Sequence, residues 1–414
     1  MLDPNLLRSD PEGARAAFAR RGSTAPLERW LALDARRREL LPDLERGRAE
    51  QNAASERIGE EKRAGGDGAE AITAMREVAP RVKALEAELA EVEVARDAAM
   101  AALPNLPDPT APVEEEVLRE VGEAGATGRD HLELLGGYVD MEAGARVAGS
   151  RFSYLKGPVV MLELALVRWA LELLGGHGFE PVIPPVLVRE RALFGTGFLP
   201  DTEQQIYALP EDHLFLAGTS EVALASLHAD EILDAEALPL RYAGFSPCFR
   251  REAGAAGKDT RGIFRVHQFD KVEMFAFVEP SVSEEEHERI LAIEEEIMLA
   301  LELPYRVVAI AADDLGASAA KKYDVEAWLP SQGAYRELTS CSNTTDFQAR
   351  RLGIRARPGG DGRPAPVHTL NGTAVAVGRT IIALVENHQR EDGSVGVPEV
   401  LRGWGAPGEI RAGG

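Results

Sequence analysis

Apolar residues recur at heptad spacing through one stretch of the chain. Met75, Val82 and Leu89 form one series; Val78, Leu85, Val92 and Ala99 form the other. Two interleaved series of this kind are the a and d seam of a helix that packs along a partner. Upstream, Leu27 to Lys62 is rich in helix formers, with Leu31, Leu40, Leu44 and Ile58 as apolar points. The sequence RAGGDG separates the two stretches, and glycine gives the backbone freedom that a reversal needs. The pattern predicts two antiparallel helices in a hairpin, each about 50 Å long at roughly 1.5 Å rise per residue. Pro42 and Pro80 fall inside them and predict kinks or breaks.

The prolines of LPNLPDPTAPVEEEV predict a linker after the hairpin. From about Val117 the pattern changes. Val159, Leu162, Leu166, Trp169 and Leu173 have the spacing of an amphipathic helix. FEPVIPPVLV reads as an extended segment interrupted by proline, and alternating stretches separated by helices follow. This predicts an α+β domain with a mostly antiparallel sheet. The predicted division is 1–110 for the helical region and 111–414 for the sheet domain. The tail WGAPGEIRAGG is expected to be loose.

Composition narrows the class. The 414 residues are 45% apolar and carry a formal net charge of -22. That balance argues against coating nucleic acid by bulk charge, though it leaves a local basic site open. Cys248 and Cys341 are the only cysteines, so a reducing compartment is expected. The first residues are too polar for a signal peptide, and no apolar run approaches the roughly 20 residues that span a bilayer. The expectation is a soluble, cytoplasmic protein without a membrane role.

Candidate chemistry gathers on one predicted hairpin. In PCFRRE, extended alternation places Arg250 and Glu252 on one face and Phe249 and Arg251 on the other. After a Gly- and Ala-rich loop, Arg265, His267, Phe269, Lys271 and Glu273 share a face; Val266, Val272, Met274 and Val278 share the opposite one. Arginine forks suit phosphate, a phenyl ring can stack on a purine, and a carboxylate can pair with an ammonium. An exposed strand face with paired surface charges fits the same pattern. Glu337 and Ser340 could hold a hard divalent cation against phosphates, or form a solvated strand end. Asn371-Gly372 is a turn signal, followed by an apolar helix from Val377 to Val385. Arg379 near that helix start is disfavoured by the macrodipole, and an anionic ligand or a salt bridge would resolve the conflict. GTSEV reads as a helix start with Thr219 or Ser220 as cap. His177, His213 and His228 are scattered. There is no phosphate-loop or dinucleotide fingerprint and no zinc spacing.

In this order, the hairpin, GTSEV, FRREAGAAGKDTRGIFRVHQFDKVE, YRELTSCSN and TLNGTAVAVGRT resemble the seryl-tRNA synthetases, which are class II aminoacyl-tRNA synthetases. The resemblance covers nearly the whole chain and implies a class II catalytic domain behind a helical tRNA-binding arm. It implies that Arg250 holds the ATP α-phosphate and the serine carboxylate, and that Glu252 meets the adenine amino group. Phe269 stacks on adenine within the run Val266, His267, Gln268 and Phe269, beside Arg251. Glu273 reads the amino acid, with Thr219, Ser220, Glu221 and Thr373 lining the serine pocket. Glu337 and Ser340 are the implied magnesium ligands, in a segment with Leu338 and Thr339, and Arg379 is the implied γ-phosphate ligand. Thr344 stands where the family often has cysteine, with no chemical consequence expected.

The implied activity is a two-step ligation that uses ATP and Mg2+. L-serine is activated to seryl-adenylate and passed to the 3′ end of tRNA(Ser), with tRNA(Sec) as a further candidate. The implied partners are a tRNA with a long variable arm and a second copy in a homodimer through the amphipathic helix with VIPPVLV. The arm carries Arg36, Arg37, Arg38, Arg46 and Arg48 among many glutamates, so charge alone would make it an ordinary solvated coiled coil. Two other readings stay open. One is a duplicated synthetase serving antibiotic resistance or biosynthesis. The other is a nucleotide-binding coiled-coil scaffold without ligase activity.

Overall fold

The computed structural model describes residues 1–200, 205–253, 261–358 and 362–412. The chain divides into two units. One comprises Leu2–Ala16 and Thr24–Pro104; the other comprises Met1, Ala17–Ser23 and Asn105–Gly414.

The first unit contains the hairpin. Helix α1 (Leu27–Arg63) and helix α2 (Ala69–Ala101) meet at the predicted glycine-rich reversal, with Gly68 left-handed at φ 64°. Ion pairs Arg37–Glu93, Arg48–Glu86 and Glu50–Arg81 advance along one helix as they retreat along the other, so the two are antiparallel. Val82 and Ala99 of the seam are buried, while Met75, Val78, Leu85, Leu89 and Val92 are half-buried. Two helices alone can cover only part of a seam. A Cβ on Gly47 would lie 2.9 Å from Val82 Cγ2, so glycine permits the close crossing there.

Pro42 and Pro80 do not break the helices. Each proline forfeits one backbone hydrogen bond, and continuous packing along the partner helix carries the chain through. Asp34 was not anticipated. It lies buried within α1, with Arg8 and Arg38 at 3.3 Å and Arg96 at 4.0 Å.

The second unit is built on an eight-stranded sheet. Its strands are β1 (Glu116–Val121), β2 (Glu180–Val182), β3 (Leu240–Phe249), β4 (Gln268–Val278), β5 (Tyr305–Ala309), β6 (Lys321–Leu329), β7 (Ala334–Asn343) and β8 (His368–Ala376). Their order is β1-β5-β6-β7-β8-β4-β3-β2. Among the described residues of this sheet only β2 and β3 pair in parallel, in agreement with the predicted mostly antiparallel sheet. The helices that matter for the site are α3 (His131–Leu135), α4 (Pro158–Gly176), α5 (Glu221–Ala225), α6 (Ser283–Ala300) and α7 (Val377–Asn387). Val159, Leu162, Leu166 and Trp169 of α4 enter the main core with Val272, Met274, Ala276 and Val278 of β4.

Three expectations are corrected. The LPNLPDPT segment is not a free linker: Leu103, Asn105 and Ala111 are buried, and Asn105 N donates to Ala317 O at 2.8 Å. The tail is not loose up to Ile410, which is buried and pairs as a short strand with Val395–Gly396. Asn371-Gly372 is not a turn but the middle of β8. Gly372 is required there by packing. A Cβ would lie 2.3 Å from Ile290 Cγ2 and 2.9 Å from Glu294 Oε1 on α6.

Candidate active site

Alternation along β4 divides one of its faces into two halves. Phe269, Lys271 and Glu273 line a cavity of about 370 Å³. Farther along, Phe275 and Phe277 of the same face join Leu224, Tyr242 and Leu352 in a second apolar cluster. The polar half is therefore an open floor and the apolar half its anchor.

Two bulges complete the floor. The β6–β7 register slips beside Leu338, so Glu337 joins Leu338, Ser340 and Ser342 on the cavity. The β4–β8 register slips at Ala374, so Asn371, Thr373 and Ala376 all reach it. Simple alternation puts Glu337 and Ser340 on opposite faces; an extra residue in the strand brings them together.

The expected triad of Arg250, Glu273 and Arg379 lines this one cavity, with Thr219, Glu221, Glu252, Val266, Phe269, Glu337, Leu338, Ser340 and Thr373. The Gly-rich loop itself, residues 254–260, lies outside the described residues. Arg250 and Glu252 are not on the strand, because β3 ends at Phe249. Arg250 stays in place because its N–H donates to His267 O at 3.0 Å and its Nε donates to Gly218 O at 3.2 Å. Its guanidinium sits 5.2 Å from the Phe269 ring centre. Glu252 adopts φ 48°, an unusual state for a residue with a Cβ, and accepts from Arg265 Nη1 at 2.8 Å. Arg265 and His267 likewise precede β4 rather than sharing its face.

Five expected residues do not line the cavity. Arg251 lies 5.9 Å from the Tyr207 ring. His267 turns back, its Nδ1 donating to Arg250 O at 2.9 Å. Gln268 lines a neighbouring cavity with Asp270 and Glu163. The buried hydroxyl of Ser220 donates to Gly244 O at 3.4 Å, while Thr219 Oγ1, not Ser220, accepts from the first helical N–H of α5 at 3.2 Å. Thr339 donates to Glu294 Oε2 at 3.0 Å, behind the sheet face.

Two regions of opposite character result. At one end, Arg379 Nη1 donates to Glu337 O at 2.8 Å, and its guanidinium lies 4.7 Å from the Phe264 ring centre. Burial, with Arg250 and Arg265 nearby, lowers the Arg379 pKa despite the acid at Glu337. Burial pushes Glu337 upward, but Arg379, Lys322, Arg250 and Arg265 outweigh it and hold the carboxylate below its usual range. Four cations around one carboxylate make this end a receptor for additional negative charge.

The other end is acidic. Lys271 Nζ lies 2.5 Å from Glu273 Oε2, which also accepts from Thr373 Oγ1 at 3.2 Å. Glu221 Oε1 accepts from Gln348 Nε2 at 2.8 Å, and burial with the nearby Glu273 charge raises its pKa to about 7. Carboxylates and a hydroxyl in a small buried pocket suit an ammonium and a short polar side chain. Phe264, Lys322, Asn371 and Gln348 were not foreseen. Their positions depend on long-range pairing and carry no local sequence signal.

Comparison with known proteins agrees with this geometry. Residues 1–107 match the seryl-tRNA synthetase N-terminal domain, and residues 207–388 match the tRNA synthetase class II core domain (G, H, P, S and T). A serine--tRNA ligase of Streptomyces coelicolor is 51% identical, with 97% of each chain covered. The seryl-tRNA synthetase of Pyrococcus horikoshii, solved with ATP, superposes with a TM-score of 0.94 at 42% identity over the full length of both chains. The cytoplasmic serine-tRNA ligase of Naegleria fowleri, solved with AMP, gives 0.88 at 32% identity, covering 100% of this chain and 99% of that one. By identity along its length, by fold and by the residues gathered in its cavity, the chain belongs to the seryl-tRNA synthetase family.

Proposed function

We propose that this cavity binds ATP at its cationic end and serine at its acidic end, and that it catalyses both steps of tRNA serylation. The convergence of Arg250, Arg379 and Glu273 on one cavity carries the reading. Arg379 takes the γ-phosphate, and Arg250, between the two ends, takes the α-phosphate together with the serine carboxylate. Adenine stacks on Phe269 with its amino group toward Glu252. Glu273 pairs with the serine ammonium, while Thr219, Glu221 and Thr373 surround its side chain.

The serine carboxylate attacks the α-phosphorus, and the bond to pyrophosphate breaks. The ribose hydroxyl of the tRNA end then attacks the activated carbonyl and displaces AMP. Both steps depend on alignment and charge neutralisation, which the arginines supply without a protein nucleophile. Glu337 and Ser340 offer hard oxygen donors on one side of the cavity, and Glu337 is held ionised, so they fit Mg2+ and would hold it there. When bound, Mg2+ neutralises phosphate charge. A site that hydrogen-bonds the serine hydroxyl leaves polar groups unpaired when alanine enters, which rejects alanine strongly.

The functional division follows as residues 1–110 for tRNA binding and 111–414 for catalysis, with the hairpin gripping the long variable arm of tRNA(Ser). We assign α4 and VIPPVLV to a homodimer contact. Ile183 is 83% exposed there, beside exposed Met161, Leu164 and Leu187, an apolar surface that another copy would cover. The described residues contain no helix long and apolar enough to cross a membrane; we place the protein in the cytoplasm. No observation favours a duplicated copy with a separate role. Serine-dependent ATP–pyrophosphate exchange tests the assignment: strong exchange with serine and little with alanine is expected, and no exchange would favour the scaffold reading.

A further inference from the structure

Ile263 and Phe264 line the cavity from the long β3–β4 connection, and neither they nor Gly262 before them belongs to a strand. A side chain outside the cavity fixes them. Nε2 of His131, the first residue of α3, accepts from Ile263 N at 3.3 Å. That leaves the ring proton on Nδ1, which donates to Glu386 Oε1 at 3.2 Å. The same oxygen accepts from His131 N at 3.2 Å, and Glu386 Oε2 accepts from Ser331 N at 3.0 Å. Both side chains are buried, where an unmet donor or acceptor is costly. The imidazole also fills the space beside Gly262. A Cβ at that residue would lie 2.0 Å from Nε2, and its φ of +71° is itself one that glycine favours.

Glu386 sits on α7, about two turns after Arg379. Arg379 in turn lies over the ring of Phe264, the residue that follows Ile263. One helix thus carries the guanidinium and also the acid that, through His131, sets the ring beneath it. We propose that His131 and Glu386 are positioning residues for nucleotide binding: they hold Phe264 under Arg379 and so pre-align the arginine for the triphosphate. This rests on the reading of Arg379 as a triphosphate ligand. It assigns a task to a buried His–Glu pair that touches no substrate.

The test uses the full chain in pyrophosphate exchange, with ATP and serine varied separately in H131N, H131Q, R379A and the H131N/R379A double variant. Asparagine keeps a donor toward Glu386 but does not reach Ile263. Glutamine reaches the Nε2 position and offers an oxygen to the Ile263 N–H. H131N is expected to raise KM for ATP about tenfold and leave KM for serine within about twofold. H131Q should return KM for ATP to within about threefold of the wild type. In the R379A background, H131N should add less than about twofold, because the two changes act on one interaction. Equal rises in both KM values, or multiplying effects in the double variant, would show a general structural role and overturn the proposal. So would an unchanged ATP KM in folded H131N when R379A raises it. An unchanged ATP KM in R379A itself removes the nucleotide reading, and the proposal with it. If H131N does not fold, F264L must show the same ATP-specific rise, and its failure to do so overturns the proposal equally.

Discussion

Lys271 and Glu273, two residues apart on β4, form a buried ion pair with Nζ 2.5 Å from Oε2. Their shared face follows from strand alternation, and burial makes each dependent on the other. Glu273 is also the acid proposed to pair with the serine ammonium. Glu273→Ala is expected to abolish serine-dependent pyrophosphate exchange. It also leaves Lys271 buried and unpaired, at a cost of roughly 3–5 kcal/mol in stability. Glu273→Gln separates the two effects, because the amide keeps shape and an acceptor for Thr373 while losing the charge. It should stay folded and lose at least about a hundredfold in kcat/KM for serine. Full exchange by either variant contradicts the assigned role.

Glu221 gives a pH signature. Burial and the Glu273 charge raise its pKa to about 7, from the usual 4.5. Between those values the folded protein keeps a proton that the unfolded chain has lost. The stability due to the neutral acid is therefore complete below about pH 4.5 and is lost as pH rises toward about 7. The shift corresponds to at most roughly 3 kcal/mol. Glu221→Gln cannot ionise. Its stability relative to the wild type should rise by roughly 2–3 kcal/mol between pH 4.5 and 7.5 and then level off. Urea unfolding of both proteins across that range checks this, and a difference that does not vary with pH refutes it.

Gly372 tests the packing beneath the cavity. A Cβ there meets Ile290 on α6, and Ile290 is fully buried. The other close atom, Glu294 Oε1, is buried with no hydrogen-bond partner among the described residues, and burial holds the Glu294 pKa well above its usual value. Gly372→Ala should therefore destabilise the catalytic unit by about 1–3 kcal/mol. Because Asn371 and Thr373 flank the site, KM for serine should rise as well. Thermal unfolding and exchange kinetics read the two effects. An unchanged melting temperature would mean that α6 gives way freely.

The Gly372 position also illustrates what local sequence conveys. Asn-Gly is a strong turn signal, yet long-range pairing with Ser342, Cys341 and β4 places it in a central strand. The hairpin was legible because its heptads and glycine reversal are local, and its bounds agree with prediction within a residue or two. The alternation of Phe269, Lys271 and Glu273 was legible for the same reason. The bulges at Leu338 and Ala374 were not, because a register slip is defined by the neighbouring strand. The effect of Pro42 and Pro80 was overestimated, since local propensity omits the packing of the partner helix. His131 lies far in sequence from both Ile263 and Glu386, so only the folded chain brings out that contact.

The arm offers the sharpest separation of functions. Its first helix holds the arginines that charge alone assigns to a solvated coiled coil, and each has an acidic partner. Arg36 pairs with Glu88 and Glu39, Arg37 with Glu93, Arg38 with Asp34, Arg46 with Asp43 and Arg48 with Glu86. Apart from Arg38, whose partner Asp34 is buried, these exposed pairs contribute about 0–1 kcal/mol each, so phosphates can compete for their guanidiniums at little cost. α1 and α2 are antiparallel, so the first residues of one lie near the last of the other, and a short flexible link can replace the segment from Leu27 to Ala102. The cavity residues all belong to the other unit. Removing the segment should leave serine-dependent pyrophosphate exchange within about threefold of the full chain. Aminoacylation of tRNA(Ser) should fall by at least about a hundredfold, the loss expected when several phosphate contacts disappear together. Aminoacylation that survives the deletion, in a protein that still exchanges pyrophosphate, would assign the grip on tRNA to the catalytic unit instead.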